Sequence, residues 1–213
     1  MKLTTAFLAM LVLPSIQACP FSQPGGENPH EDHRALQDEE EPIAGLPKYI
    51  ADRDLQDSFN GSAKDAIQKA SEEIVDIMNQ DSRFGPKFVR LGFHDCVGGC
   101  NGCVDMENAD NAGLDLPMLA LMGTAAFYEN QLTRADVWAL AAMTAANATQ
   151  QADSRVSYSF DFYGRETCDD MSGGPVIQMP SNHITTDGLL NFFKEEFDFD
   201  QQQSVAIMGA HTL

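Results

Sequence analysis

The pattern of apolar and polar positions predicts a chain built mainly from helices. Between residues 62 and 78 apolar side chains recur every three or four positions, which is the spacing of one face of an α-helix. Ser62 precedes this run and Asp65 lies three residues later, a variant of the capping box that predicts where the helix starts. The apolar face consists of Ala63, Ala66, Ile67, Ala70, Ile74, Ile77 and Met78. Phe84-Gly85-Pro86 then interrupts the pattern and predicts a second helix with Pro86 in its first turn.

Two more cap signals predict helices later in the chain. Thr133, followed by Asp136, precedes a segment whose inward face is expected to consist of Val137, Leu140, Ala141 and Thr144. Residues 153–183 have the Gly, Pro and Asp content of loops, and a periodic apolar pattern resumes over residues 189–199. Asp200, with Gln203 at the N3 position, predicts a last helix.

The second predicted helix carries the first candidate chemistry. If it continues through Cys96, then Arg90, Phe93 and His94 lie at positions i, i+3 and i+4 and share one face. An imidazole can move a proton near neutral pH, and a guanidinium can hold developing negative charge, so this group could polarise a small oxygen-containing substrate. Spacing alone favours a simpler alternative, a hydrogen-bonded histidine beside a surface arginine.

Five segments of the sequence, taken together and in their order, favour the catalytic interpretation over this simpler one. They are Arg90-Leu91-Gly92-Phe93-His94-Asp95-Cys96, Asn111-Ala112-Gly113-Leu114-Asp115, Ala135-Asp136-Val137-Trp138-Ala139-Leu140-Ala141, Phe162-Tyr163-Gly164-Arg165 and Ser204-Val205-Ala206-Ile207-Met208-Gly209-Ala210-His211-Thr212-Leu213. Each segment resembles a motif of the plant-type haem peroxidase superfamily, and the order is that of the family. The resemblance extends over residues 60–213.

The resemblance implies a mainly α-helical fold in which a distal and a proximal helix sandwich haem b, iron protoporphyrin IX. It gives His94 the role of proton shuttle in the cleavage of hydrogen peroxide and gives Arg90 that of charge stabiliser. Phe93 matches the aromatic residue beside the distal histidine, and Asn111 the asparagine that accepts its hydrogen bond. His211 matches the axial ligand of the iron. The implied activity is peroxide reduction coupled to oxidation of a small donor, in a protein that responds to oxidative stress.

The subclass is mixed. Phe93 and the export signal resemble the secreted fungal and plant peroxidases, whereas residues 111–114 and the short loops are closer to the fungal enzymes and to the ascorbate and cytochrome c peroxidase branch. The sequence does not assign a reducing donor. A different class, a secreted acidic module that binds cations or a partner without catalysis, is the alternative.

The cysteine-rich loop at residues 96–103, which follows the first motif, has two interpretations. Its C-x3-C-x2-C spacing could suggest zinc, but no second Cys/His pair with finger spacing follows. The resemblance instead implies a Cys96–Cys100 disulfide and, less directly, Cys103–Cys168. Because the chain has five cysteines, Cys19 would be left over.

Calcium is a further expectation that comes from the resemblance alone. Asp95 and the Gly99 carbonyl match the family's distal calcium ligands, and Thr212 matches a position of its proximal calcium site. Asn101 stands where aspartate is usual and Cys103 where serine is usual, which removes one charge and one hydroxyl. The sequence therefore gives only partial support for a distal ion.

The N-terminal part predicts export. Residues 1–18 contain a lysine, an apolar run too short to span a bilayer and a small-residue cleavage site, as in a secretory signal peptide. Residues 19–48 have the acidic composition of a disordered spacer or propeptide, and residues 49–213 would form the peroxidase domain. Asn60 and Asn147 begin glycosylation sequons. The formal charge of −19 argues against nucleic acid or an anionic membrane as partner.

The sequence stops two residues after His211, and no Gly, Asn or Pro follows to end the helix. In the family, the aspartate that binds the proximal histidine and several helices lie downstream of this point. We therefore expect residues 1–213 to be the first part of a longer protein and, taken alone, an incomplete peroxidase.

Overall fold

Capped helices organise the chain as its polar pattern predicts. The computed structural model describes residues 59–150, 159–168, 179–181 and 183–212. The predicted signal peptide, the acidic spacer and Cys19 lie outside these residues. Within them the α-helices are α1 (Ala63–Gln80), α2 (Phe84–Val97), α3 (Asp115–Phe127), α4 (Arg134–Ala148), α5 (Thr186–Phe197) and α6 (Gln201–Ile207), with 3-10 helices at Ala109–Asn111 and Met208–Thr212.

The predicted caps are confirmed. The Ser62 hydroxyl accepts a hydrogen bond from the Asp65 N–H at the start of α1. Thr133 and Asp136 form a reciprocal capping box at α4, and Asp200 and Gln203 form another at α6. In each box the two side chains accept hydrogen bonds from backbone N–H groups that have no partner within the helix.

Helix α4 is the centre of the packing, with α1, α2 and α3 against it. Every residue from Ala135 to Ala145 is buried, so the helix is covered on all sides and not only on the predicted inward face. Its alanines explain the difference, because small side chains allow several helices to approach one axis closely. Trp138 is 1% exposed and belongs to this core.

Helix α2 crosses α4 at Gly92, where the two backbones come close. A Cβ at this position would overlap the Ala142 Cβ, so Gly92→Ala requires one helix to move. We expect this substitution to lower the free energy of unfolding by about 1–3 kcal/mol, the usual cost of overpacking a core. The measurement is urea denaturation followed by circular dichroism.

Gly123→Ala is the matched control for that substitution. Gly123 also lies in a helix, α3, but a Cβ there meets nothing within 4 Å. Alanine should therefore stabilise the protein by roughly 0.5–1 kcal/mol through its better helix propensity. Equal effects of the two substitutions would contradict the close contact at Gly92.

Two boundaries differ from the predictions. Pro86 lies in the first turn of α2 as predicted, but the helix already begins at Phe84, within the segment expected to interrupt the pattern. The last predicted helix is regular only through Ile207 and continues as the 3-10 helix that contains His211. In the part of the chain that the structure describes, no helix combines the length and the apolar character needed to cross a membrane.

Candidate active site

His94 and Asn111 form the central pair of the site. His94 lies in the last turn of α2 and is 7% exposed, and Asn111 ends the first 3-10 helix and is 6% exposed. The His94 Nδ1 and the Asn111 Oδ1 are 2.7 Å apart. The sequence predicted this pair through the family resemblance, and the structure brings the two residues together across 17 positions of the chain.

The hydrogen bond made by the other end of the Asn111 amide determines which atom of the His94–Asn111 pair is the donor. The Asn111 Nδ2 donates to the Asp105 carbonyl at 2.7 Å, which fixes the amide with its oxygen toward His94. An amide oxygen can only accept, so the His94 Nδ1 must be the donor. The neutral ring then carries its proton on Nδ1, and Nε2 is its basic nitrogen.

Phe93 lies beside the imidazole. Its ring meets that of His94 edge to face, with the centroids 5.7 Å apart, and is 3% exposed. An apolar ring in this position limits water around the histidine and restricts the rotation of the imidazole. Phe93 therefore lies beside His94, as the family resemblance implies.

Arg90 lies one helical turn before His94 and reaches the same loop as Asn111. Its Nη1 donates to the Ala112 carbonyl at 2.9 Å, and its Nη2 donates to the Asp110 carbonyl at 2.8 Å. The side chains of Arg90 and His94 therefore both bind the segment around Asn111. Sequence spacing predicted their common face but not this shared loop.

The loop after α2 is fastened by both predicted disulfides. The structure pairs Cys96 with Cys100 and Cys103 with Cys168. Arg134 adds to the second link, because its Nη2 donates to the Cys168 carbonyl at 2.9 Å and its Nε to the Gly102 carbonyl at 2.9 Å. The loop is thus tied to the start of α4.

The side chains expected at the distal calcium site make hydrogen bonds within their own loop. The Asn101 Oδ1 accepts a hydrogen bond from the Cys103 N–H, and the Asp95 Oδ1 accepts one from the Gly102 N–H. The Cys103 sulfur is held in its disulfide, and Asp95 supplies the only carboxylate of the expected set. Calcium needs six to eight oxygen ligands. In the described part, no three His, Cys, Asp or Glu side chains are grouped so that they could hold a metal.

Asp95 itself is wholly buried, and its Oδ2 has no hydrogen-bond partner. Burial raises the pKa of this carboxyl from 3.8 to about 7, even though the Gly102 N–H and the charges of Arg165 and Arg134 lower it. Burial prevails because an ionised carboxylate loses its hydration there. The carboxyl therefore tends to keep its proton up to near neutral pH.

This proton predicts how stability depends on pH. Between pH 3.8 and about 7 the folded state holds a proton that the unfolded state has released, so the free energy of unfolding falls as pH rises through this window. The slope for one proton is at most about 1.4 kcal/mol per pH unit. We expect Asp95→Asn to remove this part of the slope in urea denaturation between pH 4.5 and 7.5. A gain in the stability of the unsubstituted protein on addition of calcium at pH 7.5 would contradict this account, because a bound cation would favour the ionised carboxylate.

Asp136 joins the third and fourth motifs. Its carboxylate forms an ion pair with the Arg165 Nη1 at 2.9 Å and accepts the Gly164 N–H at 2.7 Å, in addition to its role in the capping box. The side chain of Asp136 is 0% exposed. The motif match did not assign this contact, although both residues were in the matched segments.

The end of the last motif lies near α2, the helix that carries the first motif. The 3-10 helix Met208–Thr212, which contains His211 and Thr212, packs against α2. The side chains of these two residues lie outside the described part, so axial ligation and a proximal calcium ion stay predictions. The backbone of this 3-10 helix and α2 are neighbours in the structure.

The distal side fits the chemistry of a haem site. A buried imidazole whose Nδ1–H is held by an amide oxygen presents a basic nitrogen, and a neighbouring aromatic ring restricts its movement. With haem bound, His94 would be the residue toward peroxide, Asn111 would hold the Nδ1 edge of its ring, and His211 would hold the iron. Among the contacts that escaped the sequence analysis are the Asp105 carbonyl under Asn111 and the Arg134 link. Neither leaves a sequence signal, because a backbone acceptor has no residue type and an arginine at N1 of a helix is common.

Comparison with known proteins identifies the family of the chain. A family model described as Peroxidase matches residues 70–213. No match is found among curated proteins or among solved structures. The match covers well over half of the 213 residues and includes the helices that carry His94 and His211. The chain belongs to the peroxidase family.

Proposed function

We propose that this protein is a haem-dependent peroxidase that reduces hydrogen peroxide and oxidises a small donor. The observation that carries the proposal is the buried His94–Asn111 pair, together with membership of the peroxidase family. The bound haem would supply the redox-active iron that takes up oxidising equivalents from peroxide and passes them to the donor. All other steps concern side chains of this chain.

His94 acts as the proton shuttle. Its Nε2 takes a proton from the near oxygen of peroxide and returns it to the departing oxygen, which leaves as water. Asn111 keeps the proton on Nδ1, so the other ring nitrogen, Nε2, stays the one that accepts a proton from peroxide. Arg90 supplies a permanent positive charge one helical turn away, and such a charge favours the departing oxygen as it becomes negative.

His211 is the residue that would hold the haem iron. Gly209 and Ala210 beside it leave little bulk on the proximal segment, which would allow a flat macrocycle to approach. Export through residues 1–18 is part of the proposal, and the two disulfides of the structure are compatible with an oxidising compartment. Calcium is not part of it.

Titration with haem tests the cofactor. The full-length protein should take up one equivalent and develop a Soret band distinct from that of free haem. His211→Ala should weaken the uptake by about 10-fold or more, because it removes the ligand that the iron would use. His183→Ala is the control, since His183 is exposed and lies outside the five motif segments. Absence of haem uptake by the unsubstituted protein would overturn the proposal.

A further inference from the structure

The guanidinium of Arg90 bridges the two peptide carbonyls that flank Asn111. The Asp110 carbonyl precedes Asn111 and the Ala112 carbonyl follows it, and each accepts one hydrogen bond from a different Arg90 nitrogen. The hydrogen-bond lengths are 2.9 Å to Ala112 and 2.8 Å to Asp110. A planar guanidinium can bind two such acceptors at once, whereas an ammonium group is a single point charge.

The segment around Asn111 needs such a tether. Asn111 is buried, but its neighbours Ala109, Asp110, Ala112 and Gly113 are exposed. Gly113 has a φ of 82°, in the left-handed region that favours glycine, so the chain turns sharply here. The backbone N–H groups of Asn111 and Ala112 donate to Asn108 and Ala109 within the same turn, and the Asn111 carbonyl accepts from the Leu114 N–H just after it. The Arg90 fork therefore joins an exposed turn to helix α2.

We infer that Arg90 is a positioning residue that acts through Asn111 on His94. Arg90 and His94 project from successive turns of one helix, and each binds the turn that carries Asn111. The fork sets the distance between that turn and α2, and hence the distance between the Asn111 amide oxygen and the His94 Nδ1. Its catalytic meaning rests on the proposed peroxidase function, but the geometric claim does not.

This role differs in its consequences from charge stabilisation. Charge stabilisation of the departing oxygen does not depend on the Asn111 turn, so its loss alone leaves the hydrogen bond between the His94 Nδ1 and Asn111 in place. A positioning residue also acts on the resting protein, because without the fork the amide oxygen of Asn111 moves and the Nδ1 proton of His94 loses its acceptor. The two roles therefore separate in a measurement made without turnover.

The measurement is the ¹⁵N NMR spectrum of the His94 ring at pH 8, where a neutral imidazole reports its tautomer. It is recorded on the protein loaded with zinc protoporphyrin, a diamagnetic stand-in for haem, and also on the protein as purified. The unsubstituted protein should show a protonated Nδ1. Arg90→Leu should shift both ring nitrogens toward the values of a mixture of tautomers, as should Asn111→Ala, and Arg90→Lys should give a smaller shift.

Arg83→Leu is the matched control. Arg83 immediately precedes α2, and its guanidinium binds Asp81 and not the Asn111 turn. It should leave the ring spectrum unchanged. Circular dichroism verifies that each variant folds, and Arg90→Lys keeps the test decisive if the leucine variant does not. A His94 spectrum that is unchanged in folded Arg90 variants would overturn the inference.

A double-mutant cycle on peroxide turnover gives a second readout. If Arg90 acts through Asn111, the loss in the double variant Arg90→Leu/Asn111→Ala should be at least about tenfold smaller than the product of the two single losses. Losses that multiply would assign Arg90 to charge alone. If the unsubstituted protein shows no turnover, the proposed function fails, while the NMR comparison still decides the positioning role.

Discussion

Replacing His94 with leucine should lower the second-order rate constant for hydrogen peroxide by roughly 10²- to 10⁴-fold, the usual contribution of a positioned acid–base group. Leucine has a similar volume and no proton to exchange, so the cavity is kept and the shuttle is lost. Haem uptake should be unchanged, because the proposed iron ligand is His211. Stopped-flow mixing of the haem-loaded protein with peroxide measures the rate constant.

His183→Leu is the control for this loss, since it removes an exposed histidine elsewhere in the described part. It should react with peroxide as fast as the unsubstituted protein. If His94→Leu kept the full rate constant, the shuttle would have to be another group. If both variants were equally slow, the loss would reflect general damage to the protein and not proton transfer.

Replacing Asp136 with alanine should produce the largest loss of stability, about 3–5 kcal/mol of unfolding free energy. The carboxylate is 0% exposed and is paired with Arg165, so its removal leaves a largely buried guanidinium without its counter-charge. The capping box of α4 and the bond to the Gly164 N–H are lost with it. Because α4 is the centre of the packing, the helix start cannot fray without disturbing its neighbours. Chemical denaturation measures the change.

Asp81→Ala is the matched control. Asp81 also forms an ion pair with an arginine, Arg83, but the side chain of that arginine is 80% exposed. Surface pairs of this kind contribute little because water and salt screen them. We expect a small change for Asp81→Ala and a large one for Asp136→Ala. Similar effects of the two substitutions would show that burial does not determine the strength of the Asp136 pair.

The helices and the central pair could be predicted because they depend on local signals and on motifs. The caps at Ser62, Thr133 and Asp200 satisfy backbone donors within their own first turn, so the sequence contains all that they need. The contact between His94 and Asn111 spans distant positions, and only the family resemblance predicted it.

Contacts between side chains and distant backbone could not be predicted. The carbonyls that accept from Arg90 and Arg134 belong to residues whose type is irrelevant, so no motif encodes them. The orphaned oxygen of Asp95 is likewise invisible in a sequence, because it depends on which donors the folded loop turns toward the carboxyl. The burial of α4 on all sides from Ala135 to Ala145 was missed for a related reason, since an alanine-rich helix shows little contrast between its faces.

The most direct test of peroxidase function is the rate of hydrogen peroxide consumption by the haem-loaded full-length protein, compared with free haem at the same concentration and with an excess of a chromogenic donor. If His94 and Asn111 assist the cleavage of peroxide, the protein should exceed free haem by at least about 10²-fold, as expected for one positioned acid–base group. Oxidised donor should appear at two equivalents per peroxide when the donor gives one electron. A rate no higher than that of free haem would contradict the proposal, because the buried pair would then contribute nothing to the reaction.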